Sequence, residues 1–185
     1  AFEPPLPPAK RAALEAVPLG RAEKVALRLD PDPFGLPANT YVGIERDGEV
    51  MGFHLLPGDA VAAVGYAGGE QAEALVRAGR RAAVERALGF LEHAFGAAPR
   101  RHLVAATTTA WMDDPRFAGA YSAALPGGHG QRRVLAEPLG ERVLFAGEAT
   151  HATRFASVHG AWDSGARAAD EALRLVRKTP APGAA

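Results

Sequence analysis

The pair Asp47-Gly48, set between two apolar segments rich in β-formers, constrains the fold of this chain most. An Asp-Gly pair is favoured where both turn residues need positive φ, so it predicts a β-hairpin that joins strands at 41–46 and 49–56. Period-two alternation and a short apolar run that ends at a glycine pair predict two further strands, at 21–29 and 60–66. The sequence therefore predicts a sheet of at least four strands.

From Glu70 the apolar period changes to three and four residues, with Arg and Glu in between. This pattern predicts two amphipathic helices, extending to Phe95, that cover the sheet. A Gly- and Pro-rich stretch at 113–130 is too irregular for either element, and a loop of this length in a compact domain is usually functional. The remaining predictions are a short helix at 9–16, a strand at 102–110, a short buried strand at 142–146, a last helix at 158–176 and a frayed tail at 180–183.

Composition excludes several classes of function. Lys and Arg number 21 against 21 Asp and Glu, so the formal net charge is zero and the basic excess of a nucleic-acid binder is absent. With 48% hydrophobic residues the chain can bury a core, and it has no cysteine for a disulfide, a thiolate metal site or a nucleophile. No apolar run approaches the roughly 18 residues of a spanning helix. We expect a soluble protein, with the cytoplasm as the default compartment.

Two common kinds of catalytic site are also absent from the pattern. The six histidines show no H-x-x-x-H or H-E-x-x-H spacing on a predicted helix, so no metal site is predicted. No serine lies in a G-x-S-x-G elbow, so no hydrolase triad is predicted. The chain starts at Ala1 and enters a proline-dense run at once, and we expect it to be cut from a longer protein.

The segment that follows the predicted strand at 142–146 has the chemistry of a ligand site. Gly147 lets a ligand approach the backbone, and the Glu148 carboxylate can accept hydrogen bonds from ligand hydroxyls. The helix that begins after Ser157 presents free N–H groups to an anionic or electron-accepting ligand. In the alternative interpretation Ser157 only caps the helix, and glycines such as Gly160 only permit close packing.

Three segments resemble motifs of the flavin-dependent amine oxidases. Residues 145–150, with 157–161 and Ser164-Gly165, resemble the C-terminal flavin-binding motif of this family. Residues 2–10 resemble its F-x-P-P-L-P-x-x-K, and residues 111–122 resemble its W-x-x-D-P-x-x-x-G-x-Y-S. The family includes monoamine, polyamine and L-amino-acid oxidases and the lysine-specific histone demethylases. The motifs occur in the family's order, and the resemblance extends from Phe2 to about Arg174.

The resemblance implies an α/β fold in which the C-terminal part of an FAD-binding, Rossmann-like domain is combined with a mixed-sheet, helix-covered α+β substrate domain. Residues 1–13 would form a flavin-facing segment, 14–105 the substrate domain and 106–185 the C-terminal portion of the flavin domain. No G-x-G-x-x-G follows a strand in this sequence, although that turn cradles the pyrophosphate of FAD in the family. The resemblance therefore implies an N-terminal half, or a second chain, that supplies the motif to a processed or multi-subunit enzyme.

Residue roles follow from the same resemblance. Lys10 would be the catalytic residue that holds a water against flavin N5, whereas the ordinary alternative is a solvated lysine on a surface helix. Trp111 would pack beside the isoalloxazine, and Tyr121 would form one wall of an aromatic substrate cage. The alternative for both rings is ordinary packing of a loop onto a core.

Four further residues would bind the cofactor. The family motif implies that Gly147 and Glu148 lie against it, with Glu148 bonded to its ribityl or pyrophosphate-proximal part. Ser157 and Val158 would begin the helix that faces the flavin N1–C2=O edge, with the Val158 N–H directed at it. Ser157 stands where monoamine oxidases have a second cage tyrosine, which argues against a close monoamine oxidase.

The implied activity is FAD-dependent oxidation of a small amine or amino acid. A hydride passes from the carbon that bears the amine to flavin N5, the imine hydrolyses in water, and oxygen reoxidises the flavin with release of hydrogen peroxide. A related FAD-dependent desaturase or protoporphyrinogen-type oxidase shares the C-terminal motif and stays an alternative. A non-catalytic module that keeps the fold and binds a protein partner is the alternative from another class.

Overall fold

The computed structural model describes residues 2–178, and the predicted tail at 180–183 lies outside them. The chain divides into two compact units, one of residues 21–120 and one that combines the residues up to Gly20 with those from Tyr121 onward. In chain order the elements are α1 (Pro8–Ala16), β1 (Ala22–Leu29), β2 (Thr40–Arg46), β3 (Glu49–Leu55), β4 (Ala62–Gly68), α2 (Gly69–Phe95), α3 (Ala98–Arg101), β5 (Leu103–Thr108), α4 (Gln131–Ala136) and α5 (Val158–Lys178).

The unit of residues 21–120 is built on one five-stranded sheet of order β2-β3-β4-β1-β5. The predicted hairpin is confirmed, since Asp47 and Gly48 have φ of 55° and 77° and Arg46 pairs with Glu49. All four strand pairings are antiparallel, whereas the family resemblance implies a mixed sheet. Short connections join β2, β3 and β4, and only antiparallel neighbours can be joined in that way.

Helix α2 covers one face of this sheet. Its backbone leaves the helical region at Gly79, where φ is 81° and ψ is 164°, so the two predicted helices are the halves of α2 on either side of a kink. Alternate strand residues pack under it: Val25, Leu27 and Leu29 of β1, Met51, Phe53 and Leu55 of β3, and Leu75, Leu88 and Leu91 of the helix are all buried. The period-two and period-3.6 patterns of the sequence thus meet in one core.

The unit of the chain ends contains α1, α4 and α5. The structure describes no strand in it, so the short strand predicted at 142–146 is wrong: its only pairing is an isolated bridge between Leu139 and Val143. A short apolar run becomes a strand only when a neighbouring strand bonds its backbone, and no such neighbour exists among the described residues. The helices and the antiparallel sheet together form an α+β architecture, in agreement with the predicted substrate-domain class.

The predicted domain limits at residues 13 and 105 differ from the bounds of these units. Strand β5 continues across residue 105 as one strand, and the proposed assignment of these segments to a flavin domain and a substrate domain stays a prediction. None of the helices in residues 2–178 has both the length and the apolarity needed to cross a bilayer.

Gly65 and Gly52 make a matched pair for testing the core. A Cβ at Gly65 would lie 2.7 Å from Met51 Cε and 3.0 Å from Phe53 Cε1, whereas one at Gly52 meets no atom within 4 Å. We expect Gly65→Val to lower the free energy of unfolding by about 3 kcal/mol through overpacking. Gly52→Val should leave it unchanged or raise it, because valine favours strands. Urea unfolding followed by circular dichroism measures both, and equal losses would contradict the assignment of the two faces.

Candidate functional site

Gly147 begins the turn on which the candidate site is built. Its φ of 128° belongs to the region that favours glycine, and a Cβ there would meet no atom within 4 Å. The Gly147 N–H donates to Ser164 Oγ at 2.9 Å, and this nearly fully buried hydroxyl donates to Ala161 O at 2.7 Å. The turn is therefore fastened to α5, with open space beside its backbone.

Glu148 follows in a 3₁₀ turn, and its carboxylate accepts three hydrogen bonds. Ser122 donates its backbone N–H to Oε1 and its hydroxyl to Oε2, both at 2.7 Å, and the Ala156 N–H donates to Oε2 at 2.6 Å. Burial acts to raise the Glu148 pKa, but these donors and the charge of Arg132 outweigh it and lower the pKa below its usual range. Glu148 therefore stays ionised and orders the loop up to Ala156.

Arg132, on α4, is the cation of this cluster and is 1% exposed. Its Nη1 donates to Ser122 Oγ at 2.6 Å and to Ala149 O at 3.2 Å, and its guanidinium lies 4.2 Å from the centre of the Phe155 ring. Burial lowers the Arg132 pKa, and the charge of Glu148 opposes that shift. The guanidinium, the Ser122 hydroxyl and the carboxylate form one chain of charge-assisted hydrogen bonds.

Neither Arg132 nor Ser122 is marked as functional by the sequence pattern. Ser122 lies in the Tyr121-Ser122 motif, and that position is the only signal that could have singled it out. Arg132 lies in the short helix α4, and its burial depends on contacts with Ser122 and Ala149 that no local sequence pattern connects to it. Within residues 2–178 its buried Nε–H has no hydrogen-bond partner.

Lys10 is buried, with 5% of its surface exposed. Its ammonium donates to Leu135 O at 3.2 Å and to Glu137 O, and it lies 4.0 Å from the centre of the Phe145 ring. Burial lowers the Lys10 pKa, the charge of Arg167 lowers it further, and Glu137 opposes both. Lys10 thus meets the carbonyls at the C-terminal end of α4 and is not a solvated surface lysine. Contact with a flavin-bound water stays a prediction.

Arg167 of α5 connects the same region to the turn before Gly147. Its Nη2 donates to Phe145 O at 2.6 Å, and its Nη1 donates to Glu171 Oε2 at 2.9 Å and to Ala136 O at 3.4 Å. Phe145 O, in the segment predicted as a strand, therefore bonds a side chain instead of a neighbouring strand. Nothing in the sequence pattern marks Arg167.

The start of α5 has the cap described in the alternative interpretation of the sequence, in which Ser157 caps the helix. Ser157 Oγ accepts the Gly160 N–H at 3.1 Å and donates to Arg154 O at 2.7 Å, and a Cβ at Gly160 would overlap the Arg154 carbonyl. The Val158 side chain is 83% exposed, and the described part of the chain offers its N–H no acceptor. Ser157 is thus a helix cap, and the Val158 N–H is open to an acceptor from outside the described residues.

The two predicted aromatic residues lie in different units. Tyr121 is 45% exposed, its carbonyl accepts the Gly20 N–H at 2.6 Å, and it precedes the Ser122 that bonds Glu148. Trp111 belongs to the unit of residues 21–120, where its exposed ring meets Phe117 edge-on at 5.2 Å. The structure thus gathers Gly147, Glu148 and Ser157 around one turn, and Tyr121 is the sequence neighbour of Ser122, which bonds Glu148.

Helix α5 also carries an exposed apolar stripe, which we define as Val158, Trp162, Leu173 and Val176. These side chains recur on one side of the helix, and Trp162 is 79% exposed. Gly165 lies between them, and a Cβ there would meet no atom within 4 Å. An exposed apolar patch of this kind marks a surface that another segment or ligand covers.

Comparisons with known proteins agree with the resemblance. The family model described as flavin containing amine oxidoreductase matches residues 1–173. The chain is 30% identical over 184 residues to lysine-specific histone demethylase 1 homolog 2 of Oryza sativa subsp. japonica. The aligned region covers 93% of the chain and 24% of that protein. It is 29% identical over 216 residues to polyamine oxidase 1 of the same organism, covering 96% and 41%.

A third relative is the peroxisomal N(1)-acetyl-spermine/spermidine oxidase of Bos taurus, 28% identical over 205 residues, with 94% of the chain and 39% of that protein covered. The chain therefore spans between about a quarter and two fifths of the length of these relatives.

The lowered pKa of Glu148 predicts a pH dependence of stability. A carboxyl with a depressed pKa in the folded protein stabilises it above the unfolded-state pKa, about 4.3, and this contribution is lost as pH falls through the folded-state pKa. We expect Glu148→Gln to lower the free energy of unfolding by about 2 kcal/mol at pH 7. The difference should shrink toward pH 3.

Urea unfolding between pH 7 and pH 3 measures this convergence. Glu141→Gln is the matched control, since that side chain is exposed. A constant difference between wild type and Glu148→Gln at every pH would show that the carboxylate charge does not stabilise the cluster.

Proposed function

The chain belongs to the flavin-containing amine oxidoreductase family, and on this premise we propose that it is the C-terminal part of an FAD-dependent amine or amino-acid oxidase. The observation that carries the proposal is the turn at Gly147, held by the cluster of Glu148, Ser122 and Arg132 beside the capped start of α5. An ordered backbone turn next to free helix N–H groups suits an extended, partly anionic cofactor.

The residues present fit such a cofactor. Gly147 and Gly165 leave space into which no side chain projects, and the Val158 N–H has no acceptor in the described chain. A carboxylate has about four acceptor positions, and Glu148 uses three within the chain, so one remains for a ribityl or ribose hydroxyl. Trp111, in the unit of residues 21–120, has an exposed ring, and its packing beside the isoalloxazine stays a prediction.

A bound flavin would supply the two-electron acceptor for a hydride from the carbon that bears the amine, and oxygen would take those electrons up, with an imine and hydrogen peroxide as products. The chain's own contribution is electrostatic and positional. The N-terminal end of α5 stabilises negative charge near Val158. Lys10 uses two of its three ammonium hydrogens on carbonyls, and we assign the third to a water at the reacting centre. Tyr121 supplies an aromatic wall for the amine.

A further segment completes the site in this proposal. The apolar run at 142–146 has no neighbouring strand in the described chain, and the apolar stripe of α5 is exposed. Both need a partner that offers strand hydrogen bonds and an apolar surface. The occupant we propose is the segment that carries the dinucleotide-binding turn, either N-terminal to this sequence or on a second chain, because the relatives are longer and this sequence lacks G-x-G-x-x-G.

Similarity to proteins named polyamine oxidase 1 and N(1)-acetyl-spermine/spermidine oxidase supports an amine as the substrate. No feature of the described chain excludes an amino acid, so the proposal covers both. Oxygen is the proposed acceptor of the electrons.

Purification of the protein from its native source without denaturation tests the proposal. We expect the visible absorption of a flavin, together with a mass larger than 19.3 kDa or a second polypeptide that carries G-x-G-x-x-G. The matched variants are Trp162→Glu, in the apolar stripe, and Arg174→Glu, an exposed residue of the same helix outside the stripe. Trp162→Glu should lose most of the flavin because a charge in a covered apolar surface weakens association.

Arg174→Glu should keep the flavin of the wild type. A colourless single species of 19.3 kDa would contradict the oxidase, and flavin retained in full by Trp162→Glu would contradict the proposed use of the stripe.

We propose two roles for Lys10, bonding the carbonyls at the end of α4 and holding a water at the reacting centre, and two variants distinguish these roles. Lys10→Met leaves two carbonyls at the end of α4 without their donor, and we expect it to lower the free energy of unfolding by about 2 kcal/mol. In the flavin-loaded enzyme it should slow flavin reduction or reoxidation by up to about 100-fold, since the water is no longer held in place. Stopped-flow absorbance measures both half-reactions.

Lys10→Arg is the matched control, since it keeps the charge and the carbonyl bonds but moves the donor relative to the water. It should restore stability without restoring the rates. Unchanged rates in Lys10→Met would limit Lys10 to joining α1 and α4.

A further inference from the structure

A cavity lies on the face of the sheet that α2 covers, at the break in that helix. We define the kink pocket as the cavity bordered by α2 at Gly79, by the start of β1 and by the end of β5. Its volume is about 330 Å³, at the lower end of the range for small-molecule sites. All of its lining residues belong to the unit of residues 21–120, and the proposed oxidase site uses none of them.

Both halves of α2 contribute to the walls of the kink pocket. Leu75 and Val76 precede the break, Ala83 follows it, and Val25 of β1 lies on the sheet side. The backbone at Gly79 leaves the helical region between them, and a Cβ there would meet no atom within 4 Å. The pocket thus has an apolar lining that suits a short alkyl chain.

Glu23 is the buried charge in this pocket. It is 3% exposed and lies opposite Ala67, a core residue of β4, so its side chain shares the helix-covered face with Val25 and Leu27. A buried carboxylate destabilises the fold unless hydrogen bonds and a cation compensate its lost hydration. Among the described residues Glu23 has hydrogen-bond donors but forms no ion pair.

Both oxygens of Glu23 accept a hydrogen bond, as the oxygens of a carboxylate do. The Thr109 hydroxyl donates to Oε2, and the Met112 N–H donates to Oε1 at 3.2 Å. Thr109 Oγ1 accepts the Lys24 N–H at 2.8 Å, so its own hydrogen is free for Glu23. A carboxylate has about four acceptor positions, so one remains on each oxygen. Two adjacent acceptors match the paired N–H groups of a planar guanidinium.

The two cationic residues of the described chain that line the pocket are directed elsewhere. Lys24 lies opposite Tyr66, and because side chains alternate along a strand, its ammonium is on the other face of the sheet from the pocket. Arg80 is exposed, and its Nη2 donates to Ala106 O at 2.6 Å. Asp113 also lines the pocket and adds negative charge. The buried carboxylate is thus left without a counter-ion from the described residues.

We propose that the kink pocket binds a small alkylguanidinium ion, which pairs with the Glu23 carboxylate and lays its alkyl chain against Leu75 and Ala83. A guanidinium is more weakly hydrated than an ammonium, so it enters a mostly apolar cavity with a smaller loss of hydration. This site is separate from the proposed oxidase site and does not depend on it, since all of its lining residues lie in one unit and none is assigned to the flavin or the substrate.

Amide NMR on the full 185-residue chain tests the proposal, with n-butylguanidinium as the probe. Two counterparts separate its charge from its shape: n-butylammonium has the charge without the planar fork, and n-butylurea has a planar group without the charge. We expect n-butylguanidinium to shift the Gly79 and Thr108 amide signals and to bind about tenfold more tightly than either counterpart.

Two pairs of variants locate the binding. Glu23→Gln should weaken n-butylguanidinium about tenfold, because the amide removes the charge and one acceptor. Its matched control is Glu70→Gln, at an exposed carboxyl in the first turn of α2, which should bind as wild type does. Ala83→Leu should abolish binding by filling the cavity, whereas Ala78→Leu, at an exposed position of the same helix, should leave it unchanged.

Absence of shifts at Gly79 and Thr108 with n-butylguanidinium would overturn the proposal, and so would equal binding of the three probes. Wild-type affinity in folded Glu23→Gln or in folded Ala83→Leu would overturn it as well. If neither variant folds, the comparison of the three probes on the wild-type chain decides the question by itself. Because the readout is binding, failure of the oxidase proposal would leave this result unaffected.

Discussion

The partly buried carboxylate of Glu148 is the constraint on which the unit of the chain ends depends. A carboxylate that loses part of its hydration destabilises the fold unless donors and a cation compensate it. Ser122, Ala156 and, behind the Ser122 hydroxyl, Arg132 provide that compensation. These groups come from separate segments of this unit, so one charge fixes the backbone at Ser122, helix α4 and the segment that leads into α5 together. Gly147 and Ser157 keep their positions because the segment between them is bonded to Glu148.

The sequence predicts the parts of the fold that depend on neighbours close in the chain. The hairpin at Asp47-Gly48, the two halves of α2 and the helix after Ser157 all follow from local φ preference, period or capping. The strand predicted at 142–146 is wrong for a physical reason, because a short apolar run indicates that a segment could pair and not whether a partner strand is present. Local patterns thus predict which segments can form helices and strands, whereas the pairing of a strand depends on segments elsewhere in the molecule.

The candidate site is predictable only where a motif names its residues. Gly147, Glu148 and Ser157 are found by their order after an apolar run. Arg132 and Arg167 are not, because arginine is ordinarily an exposed residue, and their bonds to Ser122 and Phe145 span 10 and 22 positions. Lys10 is a third case: the resemblance of residues 2–10 to a family motif singles it out, but its carbonyl partner Leu135 is 125 positions away, so its burial depends on the docking of α1 on α4.

Glycines show most clearly what a sequence leaves undecided. Gly147 is required by its φ, and Gly65 by the core atoms that a Cβ would overlap. Gly52 and Gly165 have neither reason, since both sit inside regular elements with open space where a Cβ would lie. A glycine inside a strand or helix lowers stability by up to about 1 kcal/mol relative to alanine. Among the described residues nothing requires that loss at Gly52 or Gly165, so the reason for these two glycines lies outside the contacts that the structure describes.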